Sequence, residues 1–192
     1  MFSIIVKRLK YHFCTNNFNQ EQYLEDKARQ EHEKYEQELV KTVTLNNTDE
    51  EYLKIEDIFV KNSGYKVERI DKNNNNILLT KYSIAKTKFP FSSEKLLYHG
   101  TKYAENHRKI FDNGFLIKYS QEGLLGKGIY FADNVSYSNN GYVFQTKIGN
   151  DLYKTILLCK VLFIPGKYKK KDYIQVIYDE SLCFPLYLIH YK

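Results

Sequence analysis

Two short phrases carry the side chains best suited to chemistry: Leu97-Tyr98-His99-Gly100-Thr101 and Gly126-Lys127-Gly128-Ile129-Tyr130-Phe131-Ala132, followed closely by Ser136-Tyr137-Ser138 and by Tyr142. His99 offers two ring nitrogens in a fixed plane. Gly100 has no side chain, so its backbone N–H and C=O are open to close approach by another group. Tyr130 and Tyr142 offer flat aromatic faces, and Ser138 offers a small rotating hydroxyl. Each also has a plainer reading: a strand-end histidine, a turn glycine, a core tyrosine in the apolar run Gly-Ile-Tyr-Phe-Ala, a serine in a turn. Metal chemistry is not indicated, because Cys14, Cys159 and Cys183 contain no CxxC spacing and His32, His107 and His190 stand in no ligand spacing with acids or cysteines.

The elements that would position these residues are short and mostly extended. Strand-like segments are predicted at Leu97 to His99, Gly128 to Ala132, Thr155 to Phe163, Ile174 to Tyr178 and Leu186 to His190, separated by Gly-, Asn- and Lys-rich turns. A helix from about Tyr103 to Asn113 ends at Gly114, read as a left-handed cap. Upstream, Thr48 and Glu51 have capping-box spacing ahead of a helix whose Tyr52, Ile55, Ile58 and Phe59 share one side. Tyr65, Val67 and Ile70, a turn at 73–76 and then Ile77 to Tyr82 read as a hairpin of strands. The pattern is α+β: two packed, mostly antiparallel sheets with few flanking helices.

A chain of 192 residues supports one well-buried core. Residues 1–46 read as an amino-terminal extension, amphipathic over 1–20 and then a mostly exposed, Glu-, Gln- and Lys-rich helix over 19–43, and residues 47–192 as the domain. The 1–20 segment carries Lys7, Arg8 and Lys10 without an acid, a pattern shared by organellar transit segments and by amphipathic elements packed on a domain. The formal charge of +6 permits attraction to nucleic acid, acidic protein or anionic lipid and does not choose among them. No apolar run reaches the 18 or more residues of a membrane span. The odd cysteine count implies a reducing compartment, cytoplasmic or nuclear.

On the two phrases in order, the Ser-Tyr-Ser phrase and the strand-rich carboxyl terminus, residues 47–192 resemble the catalytic domain of the poly(ADP-ribose) polymerase superfamily, the diphtheria-toxin-like ADP-ribosyltransferases. The likeness is strongest over 95–142 and 173–191. It implies that fold, with NAD as substrate, no metal, and cleavage of the nicotinamide–ribose bond through an oxocarbenium-like transition state. It further implies that His99 donates to the adenosine ribose hydroxyl, with Thr101 assisting, and that Gly100 and Ser138 hold the nicotinamide carboxamide. Tyr130 and Tyr142 would stack on the two ring faces, where a cation–π attraction adds ~1–2 kcal/mol once water is excluded.

Two positions depart from the elongating members of that superfamily. Five residues before Asp179 they carry Glu, and this chain has Ile174; Tyr137 stands where they tend to have Lys. An isoleucine can neither orient a ribose hydroxyl nor act as a general base. The set His99, Tyr130 and Ile174 resembles the mono-ADP-ribosylating branch, which implies a protein acceptor, first Glu or Asp and including the chain itself. Two other readings stay open: an NAD-binding module without turnover, and transfer to nucleic acid, for which Lys167-Tyr168-Lys169-Lys170-Lys171 would supply attraction if it is more than a solvated turn. The loop from Lys118 to Leu125 would cover the NAD.

Overall fold

The computed structural model describes residues 22–23, 25–30, 42–139 and 141–192. The described residues before Lys41 are helical and mostly exposed, and they form a unit separate from Lys41–Lys192. The amphipathic segment 1–20 and most of the proposed 19–43 helix lie outside the described residues.

The second unit runs β1 (Thr42–Thr44), α1 (Glu50–Ser63), β2 (Val67–Asn73), α2 (Asn76–Lys88), β3 (Ser93–His99), α3 (Ala104–Asn113), β4 (Glu122–Gly123), β5 (Gly126–Lys127), β6 (Ile129–Ala132), α4 (Val135–Asn139), β7 (Phe144–Ile148), β8 (Asp151–Phe163), β9 (Tyr168–Lys171), β10 (Ile174–Ile177) and β11 (Cys183–Tyr191). Nine strands form one hydrogen-bonded sheet, eight along the path β1-β2-β11-β8-β3-β6-β10-β9 and β7 off it on β8. Every pairing is antiparallel. The architecture is α+β, as expected.

The expected two sheets appear as two parts of this single path. β3 pairs with β8 from Ser93 to His99, yet meets β6 in a single register pair, Tyr98↔Ala132. The path is therefore weakly held between the β1-β2-β11-β8-β3 part and the β6-β10-β9 part. Strand alternation on the long β8 divides its apolar residues between two faces. Leu157, Cys159 and Val161 pack with Tyr82 and Ala85 of α2 and Phe111 of α3. Ile156 and Leu158 pack with Tyr52, Ile55 and Phe59 of α1 and Val135 of α4. Both faces of β8 are thus buried, each large apolar side chain contributing ~1.5–3 kcal/mol.

Three local expectations are corrected. Ile77 to Tyr82 is not a strand but the start of α2, because the Asn75 side chain caps the segment, accepting from the N–H groups of Ile77 at 3.1 Å and Leu78 at 3.2 Å. Tyr82 and Ala85 then share the buried face with partly buried Leu78, and the partner of β2 on that side is β1 instead. The capping box at Thr48 is not formed: Asp49 is the N-cap of α1, and Asn46 accepts from the Thr48 N–H at 3.1 Å and hydroxyl at 2.9 Å. Finally, Gly114 has a positive φ of 80° but an extended ψ of 178°, and the left-handed helix cap is Gly64, at φ 70° and ψ 2°.

Candidate active site

The site residues gather where β3 and β6 are barely paired. His99 ends β3 and uses its ring to reach across: Nδ1 lies 2.8 Å from the carbonyl oxygen of Tyr130 in β6. A carbonyl only accepts, so Nδ1 carries the proton. Phe115 and Phe131 hold the imidazole, at centroid distances of 5.0 and 5.6 Å. This apolar surrounding disfavours charge and pushes the pKa of His99 down, against the opposing pull of the Tyr130 carbonyl. The neutral ring therefore presents Nε2 as an acceptor. The donor expected of His99 is spent on the backbone, which corrects the direction of the hydrogen bond it offers a hydroxyl.

Gly100 is a contact point between chain segments. A Cβ there would overlap the carbonyl oxygen of Tyr142 and stand 3.1 Å from its carbon and 3.4 Å from Cβ of Ser138. Ser138 is buried in α4, and its carbonyl accepts from the Tyr142 N–H at 3.0 Å. Gly100, Ser138 and Tyr142 are thus brought together. Thr101 is occupied locally: its N–H donates to Nε2 of buried His107 at 3.3 Å, and its hydroxyl oxygen lies 3.4 Å from the Asn106 amide.

Tyr130 is held at its tip. Its hydroxyl donates to the Gly126 carbonyl at 2.6 Å and accepts from the Leu125 N–H at 2.8 Å, so the phenol is fastened to the loop between the two phrases. Tyr142 keeps its ring half exposed, parallel to that of Tyr137 with centroids 6.4 Å apart, and Lys102 Nζ lies 5.4 Å from its centroid. No described contact joins the Tyr130 and Tyr142 rings.

Ile174 opens β10 with Ala132 of β6 on one side and Lys171 of β9 on the other, while Val176 stands beside Tyr130. The carboxylates of the adjoining strand ends and turns do not replace it. Asp172 sits in the β9–β10 turn at φ 52°. Asp133 accepts from Gln175 at 2.7 Å and Lys170 at 3.3 Å. Glu180 accepts from the Ile117 N–H at 2.5 Å. The lysine run is also corrected: Tyr168–Lys171 is the edge strand β9 rather than a turn, with Lys167 paired to Asp179 and Lys170 to Asp133.

Sequence reading missed Tyr178 and Glu180, which bond to Leu125 and Ile117 of the segment between the two phrases, and Asp133 with Gln175, which brace β6 to β10. Tyr178 alone had a signal, as the last residue of the strand-like segment Ile174 to Tyr178. The shallow groove on α2, lined by Leu79, Thr80, Ser83, Ile84, Thr87 and Lys88, shares no residue with this site. Among the described residues no group of three His, Cys, Asp or Glu is placed to hold a metal ion, and no helix is long and apolar enough to cross a membrane.

Comparison with known proteins bears on this geometry. Residues 16–175 match the family model described as the poly(ADP-ribose) polymerase catalytic domain. The match starts inside the segment read as an extension. A curated Dictyostelium discoideum protein, named a probable poly(ADP-ribose) polymerase, is 28% identical over 178 residues, covering 78% of this chain and 52% of the relative. The chain thus spans about half the length of that protein.

Proposed function

The chain belongs to the poly(ADP-ribose) polymerase catalytic-domain family, and we propose that it transfers a single ADP-ribose from NAD to a protein side chain, Glu or Asp, releasing nicotinamide. The observation that carries the single-unit reading is Ile174: the carboxylate of the elongating members is missing there, and Asp133 and Glu180 are already engaged.

The chemistry fits an acceptor that brings its own charge. The bond from ribose C1′ to the pyridinium nitrogen breaks, and its electron pair returns to the ring, which leaves as neutral nicotinamide. A carboxylate oxygen of the acceptor supplies the pair for the new bond to C1′. No proton has to move, so no general base is needed. A hydroxyl acceptor, as in chain growth, would need one.

In this reading Nε2 of His99 accepts from the adenosine ribose hydroxyl, with Thr101 nearby. The Gly100 backbone and Ser138 hold the carboxamide, and Tyr130 and Tyr142 take the ring faces. Ile174 keeps the acceptor side apolar. Holding these groups in place contributes to rate by fixing the reacting geometry before bond cleavage.

The test is incubation of the full chain with labelled NAD and candidate acceptors, followed by mass-spectrometric mapping. One ADP-ribose per modified carboxylate, lost with His99→Ala or Tyr130→Ala while the fold persists, supports the reading. Full activity of either variant would sink the site assignment. The missing carboxylate also supports a second reading, an NAD-binding module without turnover, which binding without nicotinamide release would select. Label on nucleic-acid ends instead of protein would move the acceptor to the class that the β9 lysines favour.

A further inference from the structure

The segment 117–127, which contains the Lys118 to Leu125 loop expected to lie over NAD, has little structure of its own. Its hairpin consists of two register pairs, Glu122↔Lys127 and Gly123↔Gly126. Two-stranded hairpins of this size do not hold a shape in water unaided. The backbone of Leu125 shows what holds this one. Its N–H donates to the Tyr130 hydroxyl at 2.8 Å, and its carbonyl accepts from the Tyr178 hydroxyl at 2.6 Å. One residue of the turn is gripped by two phenols from β6 and from the end of β10. At the other end of the loop, the Ile117 N–H donates to Glu180 at 2.5 Å.

Three glycines make this grip possible. A Cβ at Gly123 would lie 2.6 Å from Cζ and the hydroxyl of Tyr130, so the turn rests directly on the phenol. Gly126 turns the chain at φ 95°. At Gly128 a Cβ would lie 2.9 Å from the Ile177 carbonyl oxygen and 3.2 Å from Cδ1 of Tyr178, so this glycine lets the end of β10, with Tyr178, lie against β6.

We propose that Tyr178 and Glu180 are positioning residues that set the covering loop in its NAD-binding shape before NAD arrives, acting through Leu125 and Ile117. This rests on the reading of the site as an NAD site. Neither residue is placed against the reacting atoms, so their loss should weaken NAD capture rather than the bond-breaking step. Tyr178→Phe removes one hydroxyl and leaves the ring. The expected result is a KM for NAD raised by about fivefold with kcat within about twofold, the signature of lost uniform binding.

Amide hydrogen exchange of the full chain without NAD tests the clamp independently of function. Tyr178→Phe should speed exchange in peptides covering 118–127 by about fivefold or more and leave β8 and β11 unchanged. Tyr187→Phe, which deletes the hydroxyl bonded to Glu51 at 2.5 Å, should leave the loop at wild-type rates. Glu180→Ala should loosen the segment at Ile117, and Glu180→Gln, which keeps an accepting oxygen, should restore it. Unchanged loop exchange in Tyr178→Phe, or exchange raised equally across the sheet, overturns the clamp. A loosened loop with unchanged KM overturns its link to NAD. Failure of the wild-type chain to bind NAD refutes the functional reading instead, with the exchange result standing apart from it.

Discussion

Gly100→Ala is the sharpest probe of the site because its effect follows from geometry rather than from lost chemistry. The added methyl would overlap the Tyr142 carbonyl oxygen and crowd its carbon at 3.1 Å. Both are backbone atoms, so no side-chain rotation relieves the clash. Tyr142 or the end of β3 must retreat by about 1 Å, and a displacement of that size at a positioned site costs ~100-fold in rate. Overpacking costs ~1–3 kcal/mol of stability, within the ~5–15 kcal/mol of a typical domain, so the variant should still fold. The assay is kcat/KM for nicotinamide release, read beside a urea melt. Gly149→Ala is the control, since its φ is 61° and nothing lies within 4 Å of a Cβ there. It should cost ~1 kcal/mol and leave activity unchanged. Gly100→Ala activity within about threefold of wild type would refute the tight meeting of β3 with Tyr142.

Acid should destabilise the fold before its carboxylates titrate. Burial pushes the pKa of His107 down to about 3 and that of His99 below its usual 6.5, so the unfolded chain binds protons that the folded chain refuses. Stability is then full above about pH 6.5 and falls as pH drops below it, by up to ~1.4 kcal/mol per pH unit for each histidine. Equal urea midpoints at pH 7.5 and 5 would contradict this, since Asp71 and Glu51, whose pKa values are lowered, lose their contribution only at more acid pH. Ile174→Glu should fold with its new carboxylate beside its register partner Lys171 and still add single units, because Tyr137 remains where elongating members tend to have Lys; long polymers on a gel would count against the account of the site. Asn75→Ala should cost ~1–2 kcal/mol in chemical denaturation, since that side chain caps α2 and also donates to the Asp112 carbonyl at 2.8 Å; a loss under ~0.5 kcal/mol would show that α2 needs no cap.

Periodicity located the elements whose pattern is set by burial and failed where short polar side chains decide. β8, β10, β11 and α3 were legible because their apolar spacing reflects a covered face. The stretch Asn73 to Tyr82 was not, because four asparagines read as a turn between strands. In the structure Asn73 and Asn75 are buried, their amides donating to the carbonyls of Phe111 and Asp112. That fastens the end of β2 to the end of α3 and starts α2 in the same few residues. A contact between residues 38 apart leaves no trace in a local window. The same applies to the single β3–β6 pair, which depends on where two strands part rather than on what either contains.

At the site, residue types were legible and their states were not. The two phrases pointed to His99 and Tyr130, yet which nitrogen of the imidazole faces a ligand depends on the Tyr130 carbonyl lying 2.8 Å from Nδ1, a backbone position that no motif encodes. Tyr130 likewise spends its hydroxyl on Leu125 and Gly126 while its ring is the part assigned to nicotinamide. In the proposed function its two ends therefore serve two tasks, one toward the ligand and one toward the loop. Removing the whole side chain removes both at once, whereas the Tyr178 hydroxyl bonds to the loop alone. On the proposed function, separating capture from cleavage therefore turns on the end of β10, in residues that the motifs leave out.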